Sequence, residues 1–130
     1  MTPMTLAIIV LLFAHFFADF VVQPDSMALE KWHSNKALWA HIGVYTLSLF
    51  AWVAMVLAPE YGADALPYFV GWAVFNGLVH FATDYVTSRD SHQLWVEKDV
   101  RMFFIMIGLD QFLHYVVLII SYAILVHFII

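Results

Sequence analysis

Cysteine is absent from the 130-residue chain, which excludes disulfides, iron–sulfur clusters and thiol chemistry. Charge is nearly as scarce: 12% of residues are charged, about half the share of a soluble domain. The five Lys and Arg residues form no basic run and the net charge is −5, which argues against a nucleic-acid partner. No basic stretch and no small-x-small cleavage site precede Asp19, so the first apolar run reads as a retained span, not a removable signal. What remains is mostly hydrocarbon. Hydrophobic residues make up 64% of the chain, with twelve Phe, five Trp and six Tyr to face lipid and form interfacial belts. The expectation is one all-α integral membrane domain over residues 1–130.

Four apolar runs approach the ~20 residues needed to cross a ~30 Å hydrocarbon core. They cover about 5–22, 37–58, 68–87 and 102–130, giving a four-transmembrane-helix bundle. Pro24 closes the first run, Ser34 is a reasonable N-cap for the second, and Pro59 ends it. Residues 26–32 suit a short interfacial helix. All the Lys and Arg residues fall in the connections 23–36 and 88–101. The positive-inside tendency places both connections in the cytoplasm and both termini outside, in the bacterial inner membrane.

Into this apolar background the chain sets three His–Asp pairs at helical spacing: His15 with Asp19, His80 with Asp84, and Asp110 with His114. Residues four apart lie one turn apart on the same helix face. A buried carboxylate is costly in such a setting and needs a partner. At ~1.5 Å per residue, Asp19 and Asp84 lie about 4–5 Å inside the cytoplasmic ends of their runs. By the same rule His41 lies about 6 Å in, His15 and His80 about 10 Å, Asp110 about 12 Å and His114 about 18 Å. Four helices thus bring their ionisable groups to one half of the membrane, which helix propensity and lipid solubility do not require.

Imidazole and carboxylate together are ligands for Zn²⁺, Mn²⁺ or Fe²⁺. His15, Asp19, His41, His80, Asp84, Asp110 and His114 are therefore the expected ligands of one or two divalent ions, Zn²⁺ foremost. Helical bundles build such sites from inward carboxylates and helically spaced carboxylate–histidine pairs. A bound ion acidifies water for attack on an ester or phosphoester, and Asp19 or Asp110 would serve as general base. Gln23, Asn76 and Gln111 are candidates to orient ligands, and Arg89, Lys98 and Arg101 to hold an anionic headgroup or phosphate. His33 and His92 read as surface residues, His127 as an interface anchor, and Asp25, Glu30, Glu97 and Asp99 as solvated loop charges. Gly43, Gly71, Gly77 and Gly108 read as sites of close helix packing.

Ala14, His15, Asp19, Phe20 and Gln23 spell "AH-x-x-x-DF-x-x-Q". Lys36, His41, the His80/Asp84 pair and a closing "DQ-x-x-H" at Asp110, Gln111 and His114 follow in order. This series resembles a small bacterial and phage inner-membrane family known as domain of unknown function 3307. The resemblance covers almost the whole chain and implies four membrane helices and a shared motif set, not an activity. More loosely, the sparse His/Asp pattern is similar to that of membrane-bound metal-dependent hydrolases.

The sequence thus points first to a membrane metal site acting on a lipid or phosphoester from the cytoplasmic side. Membrane lipid is the expected partner, and a homodimer is compatible with the small-residue faces. The same groups also suit a proton or divalent-cation pathway, or a non-catalytic accessory subunit. A pathway needs polar access from both sides, whereas the outer halves of the runs are Leu, Ile, Val and Phe.

Overall fold

The structure, a computed structural model, describes residues 3–129, with side chains from Thr5 onward. Helix α1 spans Pro3–Phe16 and continues as a π-helical turn over Phe17–Val21. A short helix α2 (Asp25–Glu30) precedes α3 (Asn35–Tyr61), a single 3₁₀ turn (Ala63–Ala65), α4 (Leu66–Val96) and α5 (Val100–Ile129). Among the described residues there is no strand. By length and composition α3, the helical stretch Ala63–Val96 and α5 can each cross a membrane, and Thr5–Val21 is a shorter apolar helix. Ile130, the end of the expected fourth span, lies outside the described residues.

Local chemistry explains most boundaries, and the ends of α3 and α4 differ from expectation. Ser34 caps α3 as expected, its Oγ accepting from the Ala37 N–H at 3.2 Å. Pro59 does not end α3. Proline forfeits one backbone bond, and so close to the terminus the helix runs on to Gly62, whose φ of 81° suits glycine alone. Helix α4 extends to Val96, nine residues past the expected end of its span at Thr87, because residues 88–96 are polar but contain no Gly or Pro. The expected connection 88–101 is therefore mostly helical. Its remaining turn is a Schellman closure: Lys98 N–H bonds Trp95 O at 3.1 Å and Asp99 N–H bonds Leu94 O at 3.0 Å, with Lys98 at φ 61°. Asp99 is not a free loop charge; its carboxylate caps α5 by accepting from Met102 N–H at 3.0 Å.

The helices pack as a bundle in which α3 lies against α1 and α4, and α5 against α4 and, more lightly, α1. Each presents one narrow buried stripe: Ala7, Leu11, Ala14 and Ala18 on α1 and its π turn; Leu38, Ile42, Tyr45, Leu49, Val53 and Leu57 on α3. Phe69, Trp72 and Ala73 of α4 and Leu118, Tyr122 and Leu125 of α5 complete the core. The outward faces remain apolar, with Phe13, Leu47, Phe75, Phe104, Phe112 and Phe128 exposed, as a hydrocarbon solvent permits. A second, neutral polar layer joins α4 to α5. Ser121 Oγ accepts from Trp72 Nε1–H at 2.9 Å and Asn76 Nδ2–H at 3.1 Å, and Asn76 also donates to Trp72 O at 2.9 Å.

Of the four glycines read as packing positions, only Gly77 has a neighbour within reach: a Cβ there would overlap the Thr46 hydroxyl of α3. Gly43, Gly71 and Gly108 face open space. Gly77→Leu is therefore expected to destabilise the protein by about 1–3 kcal/mol, and Gly71→Leu to be near neutral, in thermal unfolding followed in detergent. Ser121→Ala strands the Trp72 N–H and is expected to cost about 1–3 kcal/mol in the same assay.

Candidate metal centre

The buried stripes carry the ionisable groups as well as the core. His15 and Asp19 continue the α1 stripe, His41 that of α3, His80, Asp84 and Thr87 that of α4, and His114 that of α5; all are buried. The π turn places Asp19 at the same level as its partners. There Val22 N–H bonds Phe17 O at 3.0 Å, five residues back, and the wider turn re-aims the carboxylate.

His41 Nε2 lies 3.1 Å from His80 Nε2, 3.0 Å from Asp19 Oδ1 and 3.5 Å from Asp84 Oδ2. His80 Nε2 lies 3.4 Å from both Asp19 Oδ1 and Asp84 Oδ1. A tetrahedral ion with bonds of ~2.0–2.1 Å has ligand–ligand edges of about 3.3 Å; with Asp84 offering either one of its oxygens, four of these separations belong to a single shell and bracket that value. Hydrogen bonding explains them less well. At most one proton fits between the two Nε2 atoms, and Asp19 Oδ1, close to both rings, has no hydrogen bond of acceptable geometry. Asp19, His41, His80 and Asp84 each offer a ligand atom within 4.8 Å of the others. Asp84 also joins a second group with Asp110 and His114, whose Nε2 lies 3.1 Å from Asp84 Oδ1 and 3.4 Å from Asp110 Oδ1. A buried His/Asp cluster able to hold a divalent metal is thus present.

The charges agree with that fit. Asp19, Asp84 and Asp110 bring three negative charges, and Lys31 Nζ, 2.8 Å from Asp84 Oδ2, returns one. The carboxylates outnumber that ammonium, which leaves negative charge for a bound cation to offset. Burial alone disfavours the Lys31 ammonium, but Asp84, Asp19 and Asp110 more than offset this and hold its pKa above the ordinary lysine value.

Six of the seven residues expected as ligands fall into the two groups. His15 does not: its Nε2 faces Gln111 Oε1 at 3.2 Å, a bond that requires the proton on that nitrogen. Gln111 behaves as an orienting residue, its Nε2 donating to Asp19 Oδ2 at 3.2 Å and Asp110 Oδ2 at 3.0 Å. Asn76 is not an orienting residue; its bonds go to Ser121 and Trp72, away from the cluster. Two partners were missed. Lys31 has no spacing signal, because α2 folds it back onto α4. Thr87 Oγ1, donating to Asp110 Oδ1 at 2.5 Å, sits three residues after Asp84 on the buried face and was legible from that register. The imidazole rings are held by stacking: His80 lies parallel to His114 at 3.9 Å and against Tyr45 at 4.1 Å.

At one end the cluster meets a cavity of about 870 Å³ between the π turn, α2, α4 and α5. Asp19, Asp110 and Gln111 form its polar floor, and Phe20, Trp32, Trp95 and Phe103 contribute its apolar wall. His92, expected at the free surface, lines this cavity with its ring stacked on Trp32 at 3.5 Å.

No curated protein and no solved structure matches the chain. A family model does match, over residues 7–129, a range that includes every motif residue from Ala14 to His114. The chain belongs to the family described as protein of unknown function DUF3307.

Proposed function

We propose that the protein is a polytopic inner-membrane metalloprotein that hydrolyses a phosphoester or lipid ester from the cytoplasmic side. The observation that carries this reading is the set of His–His and His–Asp separations of 3.0–3.5 Å around His41 and His80, which fit the edges of an ion's coordination shell. Asp19, His41, His80 and Asp84 hold one ion. A second ion would take Asp84, Asp110 and His114; with the first ion alone, Asp110 is left as the free carboxylate. Zn²⁺ suits the donors best, with Mn²⁺ and Fe²⁺ as the alternatives.

A divalent ion here supplies acidified water and polarises an ester or phosphoryl oxygen. The chain's own residues do the rest. Asp110, its side chain 14% exposed at the cavity floor, is the better placed of the two expected general bases. Thr87 and Gln111 fix one oxygen each of that carboxylate. Asp19, at 4% exposure, is enclosed and serves as a ligand. The far half of the bundle is closed by Leu49, Val53, Leu57, Phe69 and Leu125, all buried, which favours a site served from one side over a transport pathway.

Protein purified without chelator is expected to carry one to two equivalents of a transition metal by mass spectrometry, and wild type without stoichiometric metal would sink the reading. Asp84→Asn should reduce both equivalents and His41→Ala one, while chelation lowers the unfolding temperature and the ion restores it. Asp110→Asn is expected to keep the His41/His80 ion and lower phosphoester turnover by about 10²-fold or more.

A further inference from the structure

Any anionic substrate in this cavity needs a cation, and Arg89, Lys98 and Arg101 do not provide one. Arg89 is engaged elsewhere: it donates to Tyr85 O at 2.6 Å and Asn35 Oδ1 at 3.0 Å, with its guanidinium 3.7 Å over the Tyr85 ring. Neither Arg89, Lys98 nor Arg101 lines the cavity, whereas Lys31 does. Its ammonium rests 2.8 Å from Asp84 Oδ2, and Asp84 is common to both ligand groups. An ammonium and a divalent ion repel each other, and both draw on the one Asp84 carboxylate. The lysine stem is flexible, and α2, which delivers it, has no buried residue, so little packing opposes a move.

We propose that Lys31 is the anion-binding cation of the cavity, stored on Asp84 in the metal-free protein and released when a divalent ion takes that carboxylate. Released, it meets a phosphoryl group of a phosphoester beside the Ser91 hydroxyl, which lines the same wall. The ion thereby creates the anion site as well as its own. This inference rests on the metal reading above and names the substrate chemistry as a phosphoryl anion, free or on a lipid headgroup.

The test uses the full chain in nanodiscs, titrated by calorimetry first with Zn²⁺ alone and then, loaded, with inorganic phosphate. A parallel arm compares loaded protein in nanodiscs with and without phosphatidic acid. Lys31→Met is expected to take up Zn²⁺ several-fold more tightly than wild type, because its internal competitor is gone. The loaded variant should nevertheless lose the phosphoryl binding that loaded wild type shows, and Lys31→Arg should retain it. Lys31→Gln, which keeps a donor for Asp84 without charge, should match Lys31→Met and covers a folding failure of that variant. Binding of inorganic phosphate assigns a free anion, and binding only with phosphatidic acid assigns a headgroup; either supports the proposal. Unchanged or weaker Zn²⁺ uptake by the neutral variants, or phosphoryl binding indifferent to residue 31 or absent from loaded wild type, overturns it while leaving the metal site intact. Wild type that takes up no Zn²⁺ overturns both readings.

Discussion

Asp84 is the constraint on which the bundle depends. A carboxylate buried at this depth among apolar helices is unfavourable by several kcal/mol unless every lone pair finds a positive or proton-bearing partner. Its partners come from four separate segments: Lys31 after α2, His41 on α3, His80 one turn back on α4, and His114 on α5. Satisfying one side chain therefore fixes the depth and rotation of three long helices and docks the short one. Three of these helices are long and apolar enough to cross a membrane, and between helices so uniformly apolar a polar focus has unusual influence on register. Close packing then follows where it is needed, as at Gly77 against Thr46.

The groups that meet at Asp84 were legible in the sequence because their signal is periodic and out of place. A His four residues from an Asp within an apolar run fixes a shared face, and counting from the run ends fixes a shared depth. Those two coordinates suffice to bring Asp19, His41, His80, Asp84, Asp110 and His114 together. They do not say which residue stays outside the clustered groups: His15 has the same spacing and nearly the same depth, yet its Nε2 faces Gln111. Rotation about the helix axis decides that, and hydropathy carries no such information when a helix is apolar all round.

Other features lay beyond the sequence for different reasons. The boundaries of α3 and α4 depend on whether a weak breaker prevails near a terminus, and Pro59 does not, whereas Gly62 does. The π turn at Phe17–Val21 has no proline or glycine to announce it. It arises where tertiary demands on Asp19 override local preference. Lys31 was hidden by contact order: 53 residues separate it from Asp84, and only the fold of the α2 link brings them together. The cavity is likewise a property of assembly, since its walls come from four segments.

The bundle contains its own comparison between polar groups that hold helices together and polar groups prepared for something else. The Trp72–Asn76–Ser121 layer is neutral, and its side-chain donors and acceptors are paired with one another or with backbone. That is what structural polar contacts between apolar helices look like when they are complete. One to two turns away along α4 the His/Asp layer is different. Asp19 Oδ1, Gln23 Oε1 and the Nδ1 atoms of His15, His41 and His80 are all buried without a hydrogen-bond partner. Had the charged layer been selected only as glue, the neighbouring layer shows that full pairing is attainable in this fold. For two of the histidines ring contacts stand in for Nδ1 hydrogen bonds: His80 stacks on His114 and packs against Tyr45, and His15 meets the Tyr45 ring edge-on. Asp19 Oδ1 lies 3.0 Å from His41 Nε2 and 3.4 Å from His80 Nε2. Three atoms able to ligate, brought that close, are ones that a single cation can satisfy together.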